Sequence, residues 1–441
     1  MRTVSFQTLI DEGVLQIGDG HRAKLEELGG SGLPFLRSEF VDDRHIAFDD
    51  AECFREELTP KLKTKLSRPG DTVITTKGNS TGRAAYVRQE SRTFVYSPHL
   101  SFWRSLDDGK LHSGFLREWA HSPEFIDQLN GMKDSTDMAP YLSLTDQRRL
   151  RITVLEPNEQ LAAARLLGTL DDKIELNRQM NRTLEELAAV TFRSWFVDFD
   201  PVVAKAAGRA PLGLAPKVAG LFSSTFTDSK LGPIPLGWQV GSIDELCKKI
   251  ESGGTPARNR PEFWSENEIP WFKTGELFDC PLISSEETIS QAGLRDSACK
   301  LWKPGTVLFA LYASPTLGRL GVLEVDGTAN QACAALVPKD NVGIQFVFFT
   351  LQNAREDLQR VSAGAAQQNI NQKILRSHAT LVPPTTITQA FENITAPLYR
   401  QRVHNTRESR TLATLRDALL PKLLSGEMRV KDIEKKVAAV V

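Results

Sequence analysis

Two short loops of the chain carry side chains that could hydrogen-bond bases or phosphates of a nucleic acid. They read TTKGNSTGRAA from Thr75 and LYASPTLGRLG from Leu311, and they recur at an offset of 235 to 236 residues. Arginine can bind guanine through two hydrogen bonds and asparagine can bind adenine likewise, whereas lysine, serine and threonine mostly position the backbone. An ordinary solvated hairpin is the alternative explanation for each loop, and the recurrence is the argument for recognition. The candidate residues are Lys77, Asn79, Ser80, Thr81, Arg83, Tyr312, Ser314, Thr316 and Arg319.

Other polar residues in the second half of the chain have the same kind of chemistry. Some follow a Gly-Gly turn, some lie in the stretch WFKTGEL, and three are consecutive amides that could recognise adenine. A solvated polar loop is the alternative for the amides. These candidates are Arg258, Arg260, Lys273, Thr274, Gln367, Gln368 and Asn369. The neighbouring aromatic residues could stack on bases, but packing in a domain core is the favoured interpretation for Phe263, Trp264, Trp271 and Phe272.

The overall charge limits how the chain could hold a polyanion. The sequence has 54 Lys and Arg against 55 Asp and Glu, a formal net charge of -1, so a nucleic-acid site must be local or shared with a partner. The five cysteines are scattered without a C-x-x-C pair, which favours free thiols in a reducing compartment. With no leader-like start and no long apolar run, the sequence predicts a cytoplasmic protein.

Two segments have the seven-residue periodicity of long paired helices, and they are predicted at 158–200 and 385–426. Adding 228 to the positions of one apolar row in the first helix gives a matching row in the second, so the helices form an internal repeat. Asparagines occupy equivalent places in both rows, where a buried polar pair can fix register and antiparallel pairing. The seam residues are Leu170, Asn177, Leu184, Leu398, Asn405, Leu412 and Leu419.

The segments before the two helices also resemble each other, with short β-branched or aromatic runs separated by Pro-Gly and Gly-Arg turns. We therefore predict an α+β protein with two mixed α/β domains separated by a pair of long coiled-coil helices, which the linker between them allows to lie antiparallel. The first domain is placed at 1–157 and the second at 236–384. The remaining segments are a Pro/Gly/Ala-rich linker and a C-terminal tail, at 201–235 and 427–441.

This arrangement resembles the specificity subunit of type I restriction-modification systems. The most specific matching stretches are LDDKIELNRQMNRTLEELAAVTFRSWFVDFDPV in the first helix and LRDALLPKLLSGE at the end of the second. GGTPARNRPEFWSENEIPWFKTGEL from Gly253 and SAGAAQQNINQKIL from Ser362 are also similar to the family. The resemblance covers nearly the whole chain.

The resemblance implies two target-recognition domains related by pseudo-twofold symmetry, each reading one half of a split sequence in double-stranded DNA. It implies that the helix pair sets the spacing and docks two methyltransferase subunits for adenine N6 methylation, with motor-nuclease subunits in the full complex. S-adenosylmethionine, ATP and Mg²⁺ are then expected on the partner subunits. No cofactor or metal is expected on this chain.

The motifs of a self-sufficient enzyme are absent from the sequence. There is no [ND]-P-P-[FYW] motif for a flipped adenine, no Gly-rich loop with dinucleotide spacing and no G-x-x-x-x-G-K-[ST] loop. The seven histidines lack H-x-x-x-H spacing, which argues against zinc. We predict no catalytic residue. The alternatives are a DNA methyltransferase or nuclease with a divergent active site, and a coiled-coil scaffold that binds proteins.

Overall fold

The computed structural model describes residues 1–48, 51–133, 140–312, 315–363 and 370–432. The chain divides into two compact units. Unit 1 comprises residues 1–174 and the segment from residue 411 onward, and unit 2 comprises residues 175–410. The boundary therefore falls within both long helices, whereas the predicted division placed the helices outside both recognition domains.

Unit 1 is built on a four-stranded antiparallel sheet of order β2-β9-β6-β7, with β1 paired to β10, β3 to β8 and β4 to β5. Its strands are β1 (Arg2–Ser5), β2 (Leu15–Asp19), β3 (Phe35–Leu36), β4 (Val41–Asp42), β5 (His45–Ile46), β6 (Thr72–Thr75), β7 (Ala84–Tyr86), β8 (Val95–Tyr96), β9 (Leu100–Ser105) and β10 (Arg151–Val154). Its helices are α1 (Phe6–Asp11), α2 (Ser113–Trp119), α3 (Pro123–Lys133), α4 (Leu144–Arg149) and the first part of α5 (Pro157–Phe196).

The sheet of unit 1 is covered on both faces. Along β6, Ile74 packs with the aromatic cluster of Phe6, Trp103 and Trp119, while the adjacent Val73 points to a second cluster on the other face. The rings of Phe6 and Trp103 lie 5.0 Å apart in an edge-on arrangement. Successive strand residues point to opposite faces, so an uninterrupted buried run such as β6 indicates a sheet between two layers.

Unit 2 is built on a five-stranded sheet of order β14-β21-β18-β19-β16, in which only β16 and β19 pair in parallel. The strands are β11 (Phe226–Thr227), β12 (Ile234–Pro235), β13 (Gln239–Ser242), β14 (Cys247–Ser252), β15 (Trp264–Phe272), β16 (Cys280–Leu282), β17 (Glu287–Ile289), β18 (Val307–Ala310), β19 (Leu320–Leu323), β20 (Thr328–Ala329), β21 (Cys333–Pro338) and β22 (Ala379–Val382). The helices are the last part of α5, α6 (Asp200–Ala206), α7 (Pro216–Ala219), α8 (Ile243–Leu246), α9 (Gln291–Arg295), α10 (Ile344–Asn353), α11 (Arg355–Ala363), α12 (Gln372–Ser377) and the first part of α13 (Thr385–Leu424), whose residues from 411 onward belong to unit 1. Short 3₁₀ segments lie at Leu25–Glu27, Ser38–Phe40, Glu56–Lys65, Pro261–Phe263 and Thr274–Glu276.

The two units repeat one topology. The order β2-β9-β6-β7 matches β14-β21-β18-β19, the parallel pair β3-β8 matches β15-β20, and β1-β10 matches β13-β22. The internal repeat inferred from the two loops and the two helices thus extends through both recognition domains. Strand β16, which extends the sheet of unit 2, has no counterpart in the sheet of unit 1.

The long helices α5 and α13 each contain 40 residues. At 1.5 Å per residue each is roughly 60 Å long. Helix α5 ends at Phe196, before the predicted bound of 200, because Phe199 adopts a left-handed conformation (φ 55°) that caps the short helix α6. The predicted linker contains this helix, α7 and the strands β11 and β12.

In each unit, the parts of α5 and α13 that belong to it pack antiparallel. In unit 1, Asp171 of α5 bonds Arg416 of α13; in unit 2, Glu185 bonds Arg402. The ring of Phe196 lies 5.3 Å from that of Phe391 in unit 2. Higher residue numbers on α5 therefore face lower numbers on α13.

The two seam asparagines are both buried in a polar layer within unit 2. The Asn177 amide donates to the Ser409 hydroxyl at 3.2 Å, and the Asn405 amide donates to the Asn181 carbonyl oxygen at 2.9 Å. Positions 177 and 181 correspond to 405 and 409 at the offset of 228, so these two bonds are copies of each other. Because each asparagine is bonded across the seam, a shift in register would leave buried amides without partners.

The other seam residues are less buried than the heptad predicts. The five seam leucines are partly buried, whereas Leu167 and Ala188 of the neighbouring heptad row are buried, as are Asp171 and Phe192. A straight α-helix drifts from a strict seven-residue repeat, and the recognition domains pack against the helix ends, so the buried stripe shifts along each helix.

Candidate nucleic-acid interface

The first candidate loop joins β6 to β7 and is fixed by hydrogen bonds at its base. The Thr81 hydroxyl donates to the carbonyl oxygens of Gly78 at 2.7 Å and Pro140 at 3.1 Å, and its side chain is buried. At Gly82 the backbone has φ 97°, and an added Cβ would lie 2.1 Å from Leu129, so only glycine fits. Thr81 is thus used in holding the loop and is not available to contact DNA.

Three side chains of this loop face solvent. Lys77, Asn79 and Arg83 are exposed, and none of them forms a side-chain hydrogen bond or ion pair with a residue that the structure describes. Ser80 is partly buried at the tip. Tyr141, which forms a backbone bridge with Lys77, is 60% exposed and adds an aromatic residue next to the loop. Sequence reasoning missed Tyr141 because it lies 58 to 64 positions from the loop in the chain.

The second candidate loop joins β18 to β19, the same place in the repeated topology. It is described at residues 311–312 and 315–319, so Ser314 lies outside the described residues. The Thr316 hydroxyl donates to the Tyr312 carbonyl oxygen at 3.2 Å, which closes the turn. The Arg319 guanidinium lies 4.9 Å from the ring centre of Phe278, which is 64% exposed. The second loop therefore presents an arginine beside an exposed aromatic ring.

The remaining candidates of unit 2 lie in a different environment. Lys273 is bonded to the carboxylates of Glu286 at 2.7 Å and Glu287 at 3.0 Å, and Arg258 pairs with Glu287 while stacking on Trp264. These bonds raise the pKa of Lys273, the bond to Glu286 most of all. The three-carboxylate groove around them, which includes Glu266, encloses about 660 Å³. The carboxylates occupy both cations, which leaves little positive charge here to attract phosphate.

Arg260 and Thr274, two further candidates of unit 2, are engaged by neighbouring residues or partly buried. Arg260 pairs with Glu262 at 2.7 Å, and its guanidinium stacks on Phe263. Thr274 is partly buried at the start of a 3₁₀ turn. Gln367, Gln368 and Asn369 lie outside the described residues. The arginine and lysine candidates with nearby acids are thus less suited to DNA contact than the two loops.

The aromatic residues near these positions pack in the protein. Trp271, Phe272 and Phe263 are buried, and Trp264 is partly buried. The Trp271 indole donates to the Gly254 carbonyl oxygen at 2.8 Å. The favoured interpretation, core packing rather than base stacking, is confirmed for the three buried rings.

The chain is similar to proteins of type I restriction-modification systems. Residues 235–400 match the family model of the type I restriction modification DNA specificity domain. The MjaIX specificity subunit of Methanocaldococcus jannaschii is 25% identical over 426 residues, which cover 96% of this chain and 93% of that protein. The HindI specificity subunit of Haemophilus influenzae is 26% identical over 333 residues, 66% of this chain and 71% of that protein.

Residues 235–400 thus match the DNA specificity domain of this family, and the chain is similar to type I specificity subunits over up to 96% of its length. The crystal structure of the S subunit from M. genitalium is similar in fold, with a TM-score of 0.55 at 14% identity over 96% of this chain and 95% of that one. The predicted α+β fold with two recognition domains and long helices is confirmed by this likeness. The prediction of a non-catalytic subunit is confirmed by the family.

Unit 1 contains a buried charge cluster that sequence reasoning missed. The Asp171 carboxylate of α5 bonds Arg44 at 2.8 Å and Arg416 at 2.7 Å, and the fully buried Glu118 bonds Arg44 at 2.8 Å and Arg117 at 2.6 Å. Burial alone would raise the pKa of Asp171, but the arginines, Arg44 most of all, hold it below its ordinary value. The cluster fixes a loop, helix α2 and both long helices of unit 1 to one another.

Helix α5 has an exposed apolar stripe on its unit 2 part, formed by Leu176, Met180, Leu187 and Val190. Their exposed fractions are 49%, 37%, 52% and 67%. Spacings of 4, 7 and 3 residues place all four side chains on one face of the helix. Leu415 of α13, at the position equivalent to Leu187, is 47% exposed. A contiguous exposed apolar stripe of this kind is typical of a protein-binding surface.

Among the residues that the structure describes, no group of three or more His, Cys, Asp or Glu side chains could hold a metal ion. Nor does any described helix have the length and hydropathy needed to span a membrane.

Proposed function

We propose that each recognition domain reads one half of a bipartite DNA target in the major groove, through the loop between β6 and β7 in unit 1 and the loop between β18 and β19 in unit 2. The observation that carries this proposal is the equivalent place of the two loops in a repeated topology. Both loops present an arginine at the same position, Arg83 and Arg319, with no ion pair among the described residues.

The charge distribution supports local reading over general adhesion. With a net charge of -1 the chain has no overall field that attracts DNA, so a few well-placed donors must discriminate bases. A guanidinium can donate to both O6 and N7 of guanine, and the Asn79 amide can form two hydrogen bonds with adenine, at N6 and N7. Lys77 and Ser80 then contact phosphates beside the bases.

Methyl transfer by reconstituted complexes tests this function. The chain is combined with the methyltransferase subunits of its system, DNA and S-adenosylmethionine, and labelled N6-methyladenine is measured. Transfer should require both proteins and should depend on the DNA sequence. Turnover by this chain alone, with Mg²⁺ supplied, would support the self-sufficient enzyme, which the family comparison does not favour.

We further propose that the helix pair sets the distance between the two half-sites. Inserting seven residues into each long helix beside the polar layer lengthens the pair by about 10 Å, equal to about three base pairs of 3.4 Å. The methylated motif should therefore keep both half-sites and gain about three base pairs between them. An unchanged spacer in this variant would show that the helices do not act as the ruler.

The exposed apolar stripe on α5 supports our proposal that the helices dock two methyltransferase subunits. S-adenosylmethionine, ATP and Mg²⁺ would then be bound by those subunits and by the motor-nuclease subunits of the full complex. The four side chains of the stripe are all apolar. The core of a protein interface is likewise depleted in charged residues. Because the substrate is the cell's own DNA and that of invaders, we also propose a cytoplasmic location.

A lysine at the centre of the stripe should prevent this docking. In Leu187→Lys, and separately in Leu415→Lys, a charged amine would be buried without a partner on binding, at a cost of about 2–5 kcal/mol or a 30-fold or greater loss of affinity. Co-purification with tagged methyltransferase measures it. Glu186→Lys, which adds a lysine at the adjacent exposed position, is the matched control and should retain binding. Equal binding by all three variants would contradict the docking surface.

A further inference from the structure

Asp279 occupies an unusual position next to the second loop. It is a non-glycine residue in the left-handed conformation, with φ 56°. Its carboxylate accepts hydrogen bonds from Arg355 at 2.6 Å and from the Leu320 amide at 2.9 Å, and its own amide donates to the Leu320 carbonyl oxygen at 2.8 Å. Leu320 is the first residue after the loop, so Asp279 is bonded to the loop's C-terminal stem.

Helix α11 holds the same stem from a second direction. The Arg355 Nε donates to the Gly318 carbonyl oxygen at 2.8 Å, and the Gln359 amide donates to the Leu317 carbonyl oxygen at 2.8 Å. The planar guanidinium of Arg355 therefore donates to the loop backbone and to the Asp279 carboxylate at the same time. Arg319, the candidate base-reading side chain, lies between these anchored residues.

Asp279 also contacts the long helix. Its carbonyl oxygen accepts a hydrogen bond from Arg402 of α13 at 3.1 Å, and Arg402 bonds Glu185 of α5 at 2.8 Å. The Arg402 residue is only 6% exposed. All of these residues lie in unit 2. They form a continuous chain of bonds from the helix pair to the stem of the second loop.

The equivalent position of unit 1 carries a residue of opposite charge in the same backbone conformation, and it too is bonded to a long helix. Arg44, which precedes Asp279 by the offset of 235 that relates the two loops, is also left-handed, with φ 64°. It bonds Asp171 of α5, the long helix that follows its own recognition domain. A left-handed non-glycine residue costs backbone energy, so its presence at this place in both copies indicates a positional role. In unit 1 the segment that carries Arg44 supplies a cation to Asp171, whereas in unit 2 the segment that carries Asp279 supplies an anion to Arg355.

We infer that Asp279 is a positioning residue for DNA recognition, which fixes the second loop relative to α13 through Arg355 and Arg402. This inference rests on the proposed function of that loop. Asp279 is not placed against DNA itself. It acts by holding the backbone that presents Arg319, and a small displacement of that backbone is enough to misalign a bidentate contact with a base.

Asp279→Asn in the full chain, assembled with its methyltransferase, tests the inference. Asparagine tolerates the left-handed conformation and keeps an acceptor oxygen, but it removes the charge that strengthens the bond to Arg355. Discrimination between correct and altered bases should fall about tenfold at one half-site and stay unchanged at the other. Arg355→Gln should relax the same half-site, and the double variant should be no worse than either single one, since the two residues act as a unit.

A matched control separates positioning from loss of stability. Ile289→Val removes one methyl group from a fully buried side chain in the same unit, away from the loop, and should lower stability without relaxing either half-site. Unchanged discrimination in Asp279→Asn, or relaxation equal to that of Ile289→Val, would overturn the inference while leaving the function intact. A wild-type complex that methylates no bipartite sequence would instead overturn the proposed function and this inference with it.

Discussion

Replacing Asp171 with asparagine should destabilise unit 1 by about 3–5 kcal/mol, the range found when one partner of a buried ion pair is removed. The substitution keeps the shape of the side chain but removes a negative charge that faces Arg44 at 2.8 Å and Arg416 at 2.7 Å. Arg44 and Arg117 would then keep Glu118 as their close anion, and Arg416 would keep only the exposed Asp417 among the described residues. Unfolding in urea or guanidinium, followed by circular dichroism, measures the change.

The neighbouring residue provides the control for this experiment. Asp172 is 63% exposed and pairs with Arg88 at the surface. Asp172→Asn should therefore cost no more than about 1 kcal/mol. Equal unfolding free energies for the two variants would show that the buried cluster contributes nothing beyond a surface pair.

Replacing Arg83 or Arg319 with alanine should relax the recognised sequence at one half-site each. A bidentate arginine contact with guanine contributes about 1–3 kcal/mol of discrimination, which corresponds to roughly a 5- to 150-fold loss of preference. Because the two residues lie in different recognition domains, each variant should affect one half-site only. Methylation of DNA libraries randomised at each position measures the preference.

Arg258→Ala is the informative contrast for the second of these variants. Arg258 lies in the same unit as Arg319, but it pairs with Glu287 and stacks on Trp264, so the base preference should change little. If wild type, Arg83→Ala and Arg319→Ala all methylate the same sequence, neither arginine reads a base, and the prediction is wrong.

The periodic parts of the fold could be predicted from the sequence because they depend on spacing alone. The offset of 228 between the helices and of 235 to 236 between the loops indicated a repeat, and the two units share one sheet topology. The polar layer was anticipated at Asn177 and Asn405. Its partners were not, because Ser409 and Asn181 become neighbours only when the two helices pack.

The candidate site was harder to predict, since the sequence does not show which charges neutralise each other. Lys273 and Arg258 looked like DNA contacts, but Glu286 and Glu287 reach them across a strand pair. Thr81 was a candidate DNA contact, but its hydroxyl bonds backbone carbonyl oxygens at the base of the loop. Asp171 was not singled out by the sequence, and only the packing of three arginines around it explains why it can be buried.

The most direct test of the central claim is a map of N6-methyladenine across a genome with and without the gene for this chain. The proposed function predicts that one split motif, two specific half-sites separated by a fixed number of unspecified base pairs, is methylated only when the gene is present. Loss of methylation at a continuous motif, or an unchanged map, would contradict it.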